Sequence, residues 1–216
     1  MALNANALLS IAEALDLLGA GTAEEPRLEL VINRACGLIE RYCERPLRRA
    51  QYARRVRGRV ATAFFLEATP VDVGTTVGVT VGTTAQTVWR TESDGNPAGF
   101  DVVVARSAEG GPLQPDHLYR RTGWWPSIPG EPYNILLSYW GGLPTTPEDL
   151  KEAAFLTVRK LFDDQTKSTG EIVGLTTPSG GVTPVQEWLP ARAREILDLT
   201  YKRTPRQKAA LWAIAE

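Results

Sequence analysis

Apolar positions recur with helical period at both ends of the chain and break into short stretches between them. From Asn4 to Leu18, the residues Leu8, Leu9, Ile11, Leu15 and Leu18 follow the i, i+3, i+4, i+7 spacing that predicts an amphipathic helix, stopped by Gly19-Ala20-Gly21. A second helix is predicted from near Pro26, a favoured first-turn residue, with Glu24 and Glu25 placed where the helix dipole favours negative charge. Its buried stripe is Leu28, Val31, Ile32, Ala35, Leu38, Ile39 and Tyr42, and Pro46 ends it.

From about Gln51 to Trp140 the pattern changes to runs rich in Val, Thr and aromatics, separated by Gly, Pro, Asn and Asp. Predicted strands are Tyr52 to Val56, Ala61 to Leu66, Val77 to Val81, Thr87 to Thr91, Phe100 to Ala105, Leu118 to Arg121 and Tyr133 to Tyr139. Asp94-Gly95-Asn96-Pro97 and Glu109-Gly110-Gly111-Pro112 read as turns between them. Helical period resumes after Thr146-Pro147-Glu148-Asp149, where the threonine suits an N-cap and the proline a first turn. Leu150, Ala153, Ala154, Thr157, Val158, Leu161 and Phe162 form one face, ending near Asp164.

Gln165 to Val185 holds four glycines and no period, which marks a candidate functional or mobile loop. A fourth helix follows Leu189-Pro190, with Ala193, Ile196, Leu197 and Tyr201 inward, and Pro205 separates it from a short amphipathic tail. The expected fold class is therefore α+β: about four helices with an inserted antiparallel β module of roughly 90 residues. The expected boundaries are 1–49 and 142–203 for the helical core, 50–141 for the β module and 204–216 for the tail.

Composition narrows the function classes. Among 216 residues, 43% are hydrophobic and 23% charged, as in ordinary soluble globular chains. No apolar run approaches the ~18 residues of a membrane helix, and the first residues lack the pattern of a secretory signal, so a cytoplasmic site of synthesis and no membrane partner are expected. Cys36 and Cys43 fall in one helix at a separation of about 10 Å, too far for a mutual disulfide. With one histidine and two cysteines, a Cys/His metal centre has too few ligands, and no cofactor is expected.

Catalytic patterns are equally sparse. His117 lies in Gln114-Pro115-Asp116-His117, which reads as an exposed turn. No nucleophile elbow, phosphate-binding loop or dinucleotide fingerprint occurs, and the expectation is that the chain is not an enzyme.

Charge is uneven. From Arg27 to Arg59 there are ten arginines against three acids, a balance of +7, which leaves −8 for the remainder of a chain whose net charge is −1. Arg48, Arg49, Arg54, Arg55, Arg57 and Arg59 suit contact with DNA phosphates or with a neighbouring subunit. The competing reading is that they cover a solvated sheet face or pair with acids elsewhere. Trp124-Trp125-Pro126 reads either as a stacking platform or as a hydrophobic plug.

Several motifs in this order resemble the head-tail connector (adaptor, head-completion) proteins of tailed phages. They are Ile39-Glu40-Arg41-Tyr42-Cys43-Glu44-Arg45-Pro46-Leu47, Pro70-Val71, Gly123-Trp124-Trp125-Pro126 and Leu137-Ser138-Tyr139-Trp140-Gly141-Gly142. An Ala-rich helix, Leu189-Pro190 and a helix ending Tyr201-Lys202-Arg203 complete the set. The resemblance implies a structural virion protein that forms a ring, typically dodecameric, in the neck of the particle. Its partners would be further copies, the portal, a stopper or tail-completion protein, and the genomic DNA passing through the channel.

Family members commonly engage the portal with C-terminal segments. Here Arg206, Lys208, Leu211, Trp212 and Ile214 offer charge and an apolar anchor for that role, although Trp212 could equally fold back on its own helices. The chain departs from plainer members in its larger β module and in the tail. The alternative from another class is a free-standing β-type module that binds a glycan or peptide through Trp124 and Trp125.

Overall fold

A cap, rather than the hydrophobic period, decides where the first helix begins. Helix α1 spans Ile11–Leu18. The Ser10 hydroxyl accepts from the Glu13 backbone N–H, and the Glu13 carboxylate accepts in return from the Ser10 backbone N–H. The expected start at Asn4 is therefore corrected. Leu8 and Leu9 are buried but lie ahead of the helix, and the Leu8 N–H donates to Cys36 Sγ at 3.2 Å. Gly19, at φ 62°, closes α1 in the left-handed conformation that glycine adopts without strain.

The computed structural model describes residues 2–58, 63–90, 99–105, 115–126, 133–167 and 188–202. The chain divides into two compact units, Met1–Glu44 with Thr145–Lys202, and Arg45–Pro144.

The first unit holds α1, a short 3-10 turn at Thr22–Glu24, α2 (Glu25–Cys43), α3 (Glu148–Lys167) and α4 (Ala191–Thr200). Every residue of the expected α2 stripe is buried, and Cys36 and Cys43, buried beside it, form no disulfide. α3 begins after Pro147, whose carbonyl accepts from the Lys151 N–H, and it runs on past Asp164. Its buried Thr157 satisfies its hydroxyl by donating to the Ala153 carbonyl at 2.8 Å. α4 presents Ala193, Ile196 and Leu197 inward, and Tyr201 behind them donates to Asp149 at 2.6 Å.

The second unit is built from two four-stranded sheets. Its strands are β1 (Ala50–Val56), β2 (Ala63–Phe65), β3 (Gly78–Val81), β4 (Thr84–Gln86), β5 (Val88–Trp89), β6 (Val102–Ala105), β7 (His117–Arg120) and β8 (Ile135–Gly141). The orders are β1-β8-β3-β4 and β2-β7-β6-β5. Val56, Leu137, Val79 and Ile135 from the first sheet and Phe64, Leu118, Val102 and Val104 from the second supply one shared apolar core, the alternation expected of half-buried strands.

Two strand expectations change. Thr84–Gln86, too polar to register as a strand, pairs with β3 across a turn that Gly82 makes at φ 58°. β5 pairs with β6 in parallel, so the module is mostly rather than wholly antiparallel.

Candidate functional site

The segment after α2 is shaped by backbone before its arginines enter. Glu44 turns the chain in a left-handed conformation at φ 57°. Arg45, 5% exposed, then donates to the Thr69 hydroxyl at 2.9 Å. Leu47 and Leu143 are tied by a 2.7 Å backbone bond, and Arg49 N–H donates to the Leu143 carbonyl at 3.1 Å.

Close approaches of other backbone segments account for Gly141 at the end of β8 and Gly142 just past it. A Cβ on Gly141 would lie 2.4 Å from the Ala68 carbonyl oxygen, and one on Gly142 would lie 2.3 Å from that of Arg48. Pro70, which follows a cis peptide bond, accepts from the Gly142 N–H at 3.0 Å.

The arginines separate into distinct environments. Arg49 donates from Nε and Nη2 to one Asp72 carboxylate oxygen at 2.9 and 2.7 Å and lies 4.6 Å from the Trp140 ring centre. Arg54 is ion-paired with Glu67. Arg48 is half-buried, its backbone bridged to Leu143. Arg55 is exposed on the opposite face of β1 from Arg54, in register with Leu136, and Arg57 is exposed just past the strand. Arg59 lies outside the described residues.

The tryptophan pair divides. Trp125 is 1% exposed and packs on Phe64 at 4.8 Å between ring centres, whereas Trp124 is 62% exposed. Gly123, at φ 72°, makes the turn ahead of them, and the Trp124 carbonyl accepts from Arg120. The Pro126 carbonyl accepts from Asn134 Nδ2 at 2.8 Å, and Asn134 Oδ1 accepts from the Gly58 N–H at 3.1 Å. A Cβ on Gly58 would overlap the Pro126 carbonyl oxygen at 1.7 Å. A two-ring platform is thus excluded, because one ring belongs to the core.

His117 is likewise corrected. It sits in β7 rather than in an exposed turn, with Nδ1 2.9 Å from the carboxylate of buried Asp116 and its ring 5.3 Å from that of Phe65. Among the described residues, no group of three or more His, Cys, Asp or Glu side chains is placed to hold a metal ion. No helix among them is long and apolar enough to cross a membrane.

The other motif residues serve the fold. The Tyr139 hydroxyl accepts from the Ala68 N–H at 3.3 Å, its ring stacks on Tyr52 at 5.7 Å, and burial pushes its ionisation upward. Leu189 is buried, and Pro190 caps α4, accepting from the Arg194 N–H at 3.0 Å. Tyr42 is buried on α2 and donates to Asp198. Arg206, Lys208, Leu211, Trp212 and Ile214 lie outside the described residues, as does most of the glycine-rich stretch.

One feature had no sequence signal. Gln51, Thr75, Thr76, Arg90, Ser138 and Trp140 line an open cleft of about 510 Å³, assembled from β1, β8, the end of β5 and the loop before β3. Only sheet pairing brings these positions together. The exposed Leu30 and Leu199, on α2 and α4, were equally unmarked.

No protein-family model and no curated protein matches the chain. Among solved structures, a chain of the "Virion of native gene transfer agent (GTA) particle" is similar at TM-score 0.52 and 16% identity, over 88% of this chain and 93% of that one. A chain of the "Neck of native GTA particle computed with C12 symmetry" is similar at TM-score 0.50 and 16% identity, with the same coverage. Over nearly its whole length, the chain therefore has the fold of a component of the gene transfer agent neck.

Proposed function

We propose that the chain is a structural subunit of a ring-shaped head-tail connector, placed in the virion neck between portal and tail, which completes the head and continues the DNA channel. The observation that carries this reading is the shared fold with a neck chain of a particle computed with C12 symmetry, spanning 88% of this chain and 93% of that one. The residues support it in a second way, since the conspicuous motifs secure turns, caps and cores rather than assemble reacting groups.

In this reading, 1–49 and 142–203 form the core around the channel, and 50–141 form the peripheral insertion. The tail at 204–216 docks on the portal through Arg206, Lys208, Leu211, Trp212 and Ile214. The ring is dodecameric, a stopper or tail-completion protein binds its far side, and the chain performs no catalysis.

Native mass measurement and negative-stain imaging, with and without the portal, test the reading. Annular particles are expected, together with co-purification with portal that is lost on deletion of 204–216 while thermal unfolding is unchanged. A strict monomer that binds glycans and never associates with portal overturns the connector reading. A truncated chain that still binds portal fully overturns the role of the tail.

A further inference from the structure

Residues 2–18 are seated on the helical unit by few groups. Leu8, Leu9 and Ala14 are buried, but Ile11, Leu15 and Leu18, which share the apolar period of α1, are half-buried, and Leu17 is 54% exposed. Among the described residues, every backbone–backbone hydrogen bond of 2–20 closes within that stretch. α1 needs nothing from its neighbours at either end. The Ser10–Glu13 box caps its start, and the Gly19 and Ala20 N–H groups donate to the Asp16 and Leu15 carbonyls at its finish.

Side chains join this segment to the rest of the unit, chiefly along one stripe of α2. The Asn4 N–H donates to Asn33 Oδ1 at 2.8 Å, the Leu8 N–H to Cys36 Sγ at 3.2 Å, and Asn6 Nδ2 to Glu40 Oε2 at 2.7 Å. Asn33, Cys36 and Glu40 follow three- and four-residue spacing and so share a face of the helix. Lys151 on α3 adds a tie, donating from Nζ to Glu13 Oε1 at 3.0 Å. The Asn4 bond is exposed and the Lys151 bond part-buried, so water competes for both. The chain leaves α1 through Gly19-Ala20-Gly21. Both glycines are exposed, and a Cβ on either would meet nothing within 4 Å, so packing does not fix this link.

We propose that residues 2–18 form a strap that lifts as a unit about Gly19–Gly21 while α2, α3 and α4 stay packed, uncovering the α2 stripe of Asn33, Cys36 and Glu40. Segments with few buried apolar contacts and solvent-exposed hydrogen bonds open at a lower free energy than the whole fold. A detached helix of eight residues does not persist in water, so lifting also melts α1. The device belongs to the single protomer and is independent of the ring reading.

The two native thiols provide the test. Both are fully buried, but Cys36 lies under the strap, whereas Cys43, about two turns further along α2, lies near Tyr201 at the end of α4. The full chain is treated with iodoacetamide in native buffer, and the labelled sites are read by peptide mass. Cys36 is expected to react about tenfold or more faster than Cys43, with a shallower dependence on urea, because lifting the strap exposes less surface than unfolding. Glu13→Gln weakens the tie to Lys151 and is expected to raise Cys36 labelling about fivefold. Tyr42→Phe loosens α2 from α4 and leaves the strap contacts intact, so it is expected to raise Cys43 labelling by a similar factor without changing that of Cys36.

Cys36 that is unreactive in native buffer, or that matches Cys43 in rate and urea dependence, overturns the inference, because the segment then opens only with the whole unit. Fast Cys36 labelling that Glu13→Gln leaves unchanged overturns it as well, since the thiol is then reached without moving the strap. So does an equal rise at both thiols in Tyr42→Phe.

Discussion

The Tyr42 hydroxyl on α2 lies 2.9 Å from each carboxylate oxygen of Asp198 on α4, and Lys202 Nζ reaches the same carboxylate at 2.9 Å while standing 4.3 Å from the Tyr42 ring centre. Burial and the bond to Asp198 both push the Tyr42 hydroxyl above its ordinary pKa. Burial also disfavours the Asp198 carboxylate, but the bonds from Lys202 and Tyr42 outweigh it and hold its pKa low. Helices distant in sequence are thereby fastened through one half-exposed anion. Tyr42→Phe keeps the ring and loses the bond, which costs about 1 kcal/mol in urea unfolding. In an Asp198→Ala background the same change costs nearly nothing, and a double-mutant cycle reads the difference.

Glu13 supplies the clearest pH dependence. Bonds from the Ser10 backbone and hydroxyl, then from Lys151, lower its pKa from 4.5 to about 2. A depressed folded-state pKa contributes stability that is complete above pH 4.5 and is lost as the pH falls towards 2. Glu13 is substantially exposed, so solvent screening limits the contribution to about 1 kcal/mol. Glu13→Gln is expected to unfold at lower urea than the parent chain at pH 6, with the gap closing by pH 2.

The adjacent tryptophans make opposite predictions. Trp125→Ala empties a site packed on Phe64 and is expected to cost about 3–5 kcal/mol. Trp124→Ala removes an exposed ring and leaves stability within about 0.5 kcal/mol. Differential scanning calorimetry of both variants separates the plug from its solvent-facing neighbour.

Charge reversal sorts the arginines. Arg49→Glu and Arg54→Glu each break an ion pair, with Asp72 or Glu67, and are expected to cost up to about 1 kcal/mol. Arg55→Glu, at an exposed position of β1, leaves the unfolding midpoint close to that of the parent. If this side chain faces the channel, the change lowers DNA retention in assembled particles. Retention equal to the parent removes Arg55 from the DNA path.

What the sequence alone determined are the features set by neighbours a few residues away. The α2 stripe from Leu28 to Tyr42 is legible because helical period and burial coincide over about four turns, and Gly19 stops α1 by its own conformational freedom. The order of elements, the α+β class and most strand positions are legible for the same reason. The Gly141-Gly142 and Trp124-Trp125 motifs are conspicuous in the sequence, but the contacts they serve, Gly141 on Ala68 and Trp125 on Phe64, are long-range.

Where long-range pairing competes with local pattern, tertiary structure decided. Leu8 and Leu9 match the period of α1, yet the Ser10–Glu13 capping box starts the helix behind them. Thr84–Gln86 becomes a strand because β3 offers it partners, and β5 pairs with β6 in parallel where an antiparallel module was expected. His117, Trp124 and Trp125 carry no local mark of which side faces the core. The division of the arginines between ion pairs and solvent depends on acids such as Glu67 and Asp72, which only the sheets bring within reach.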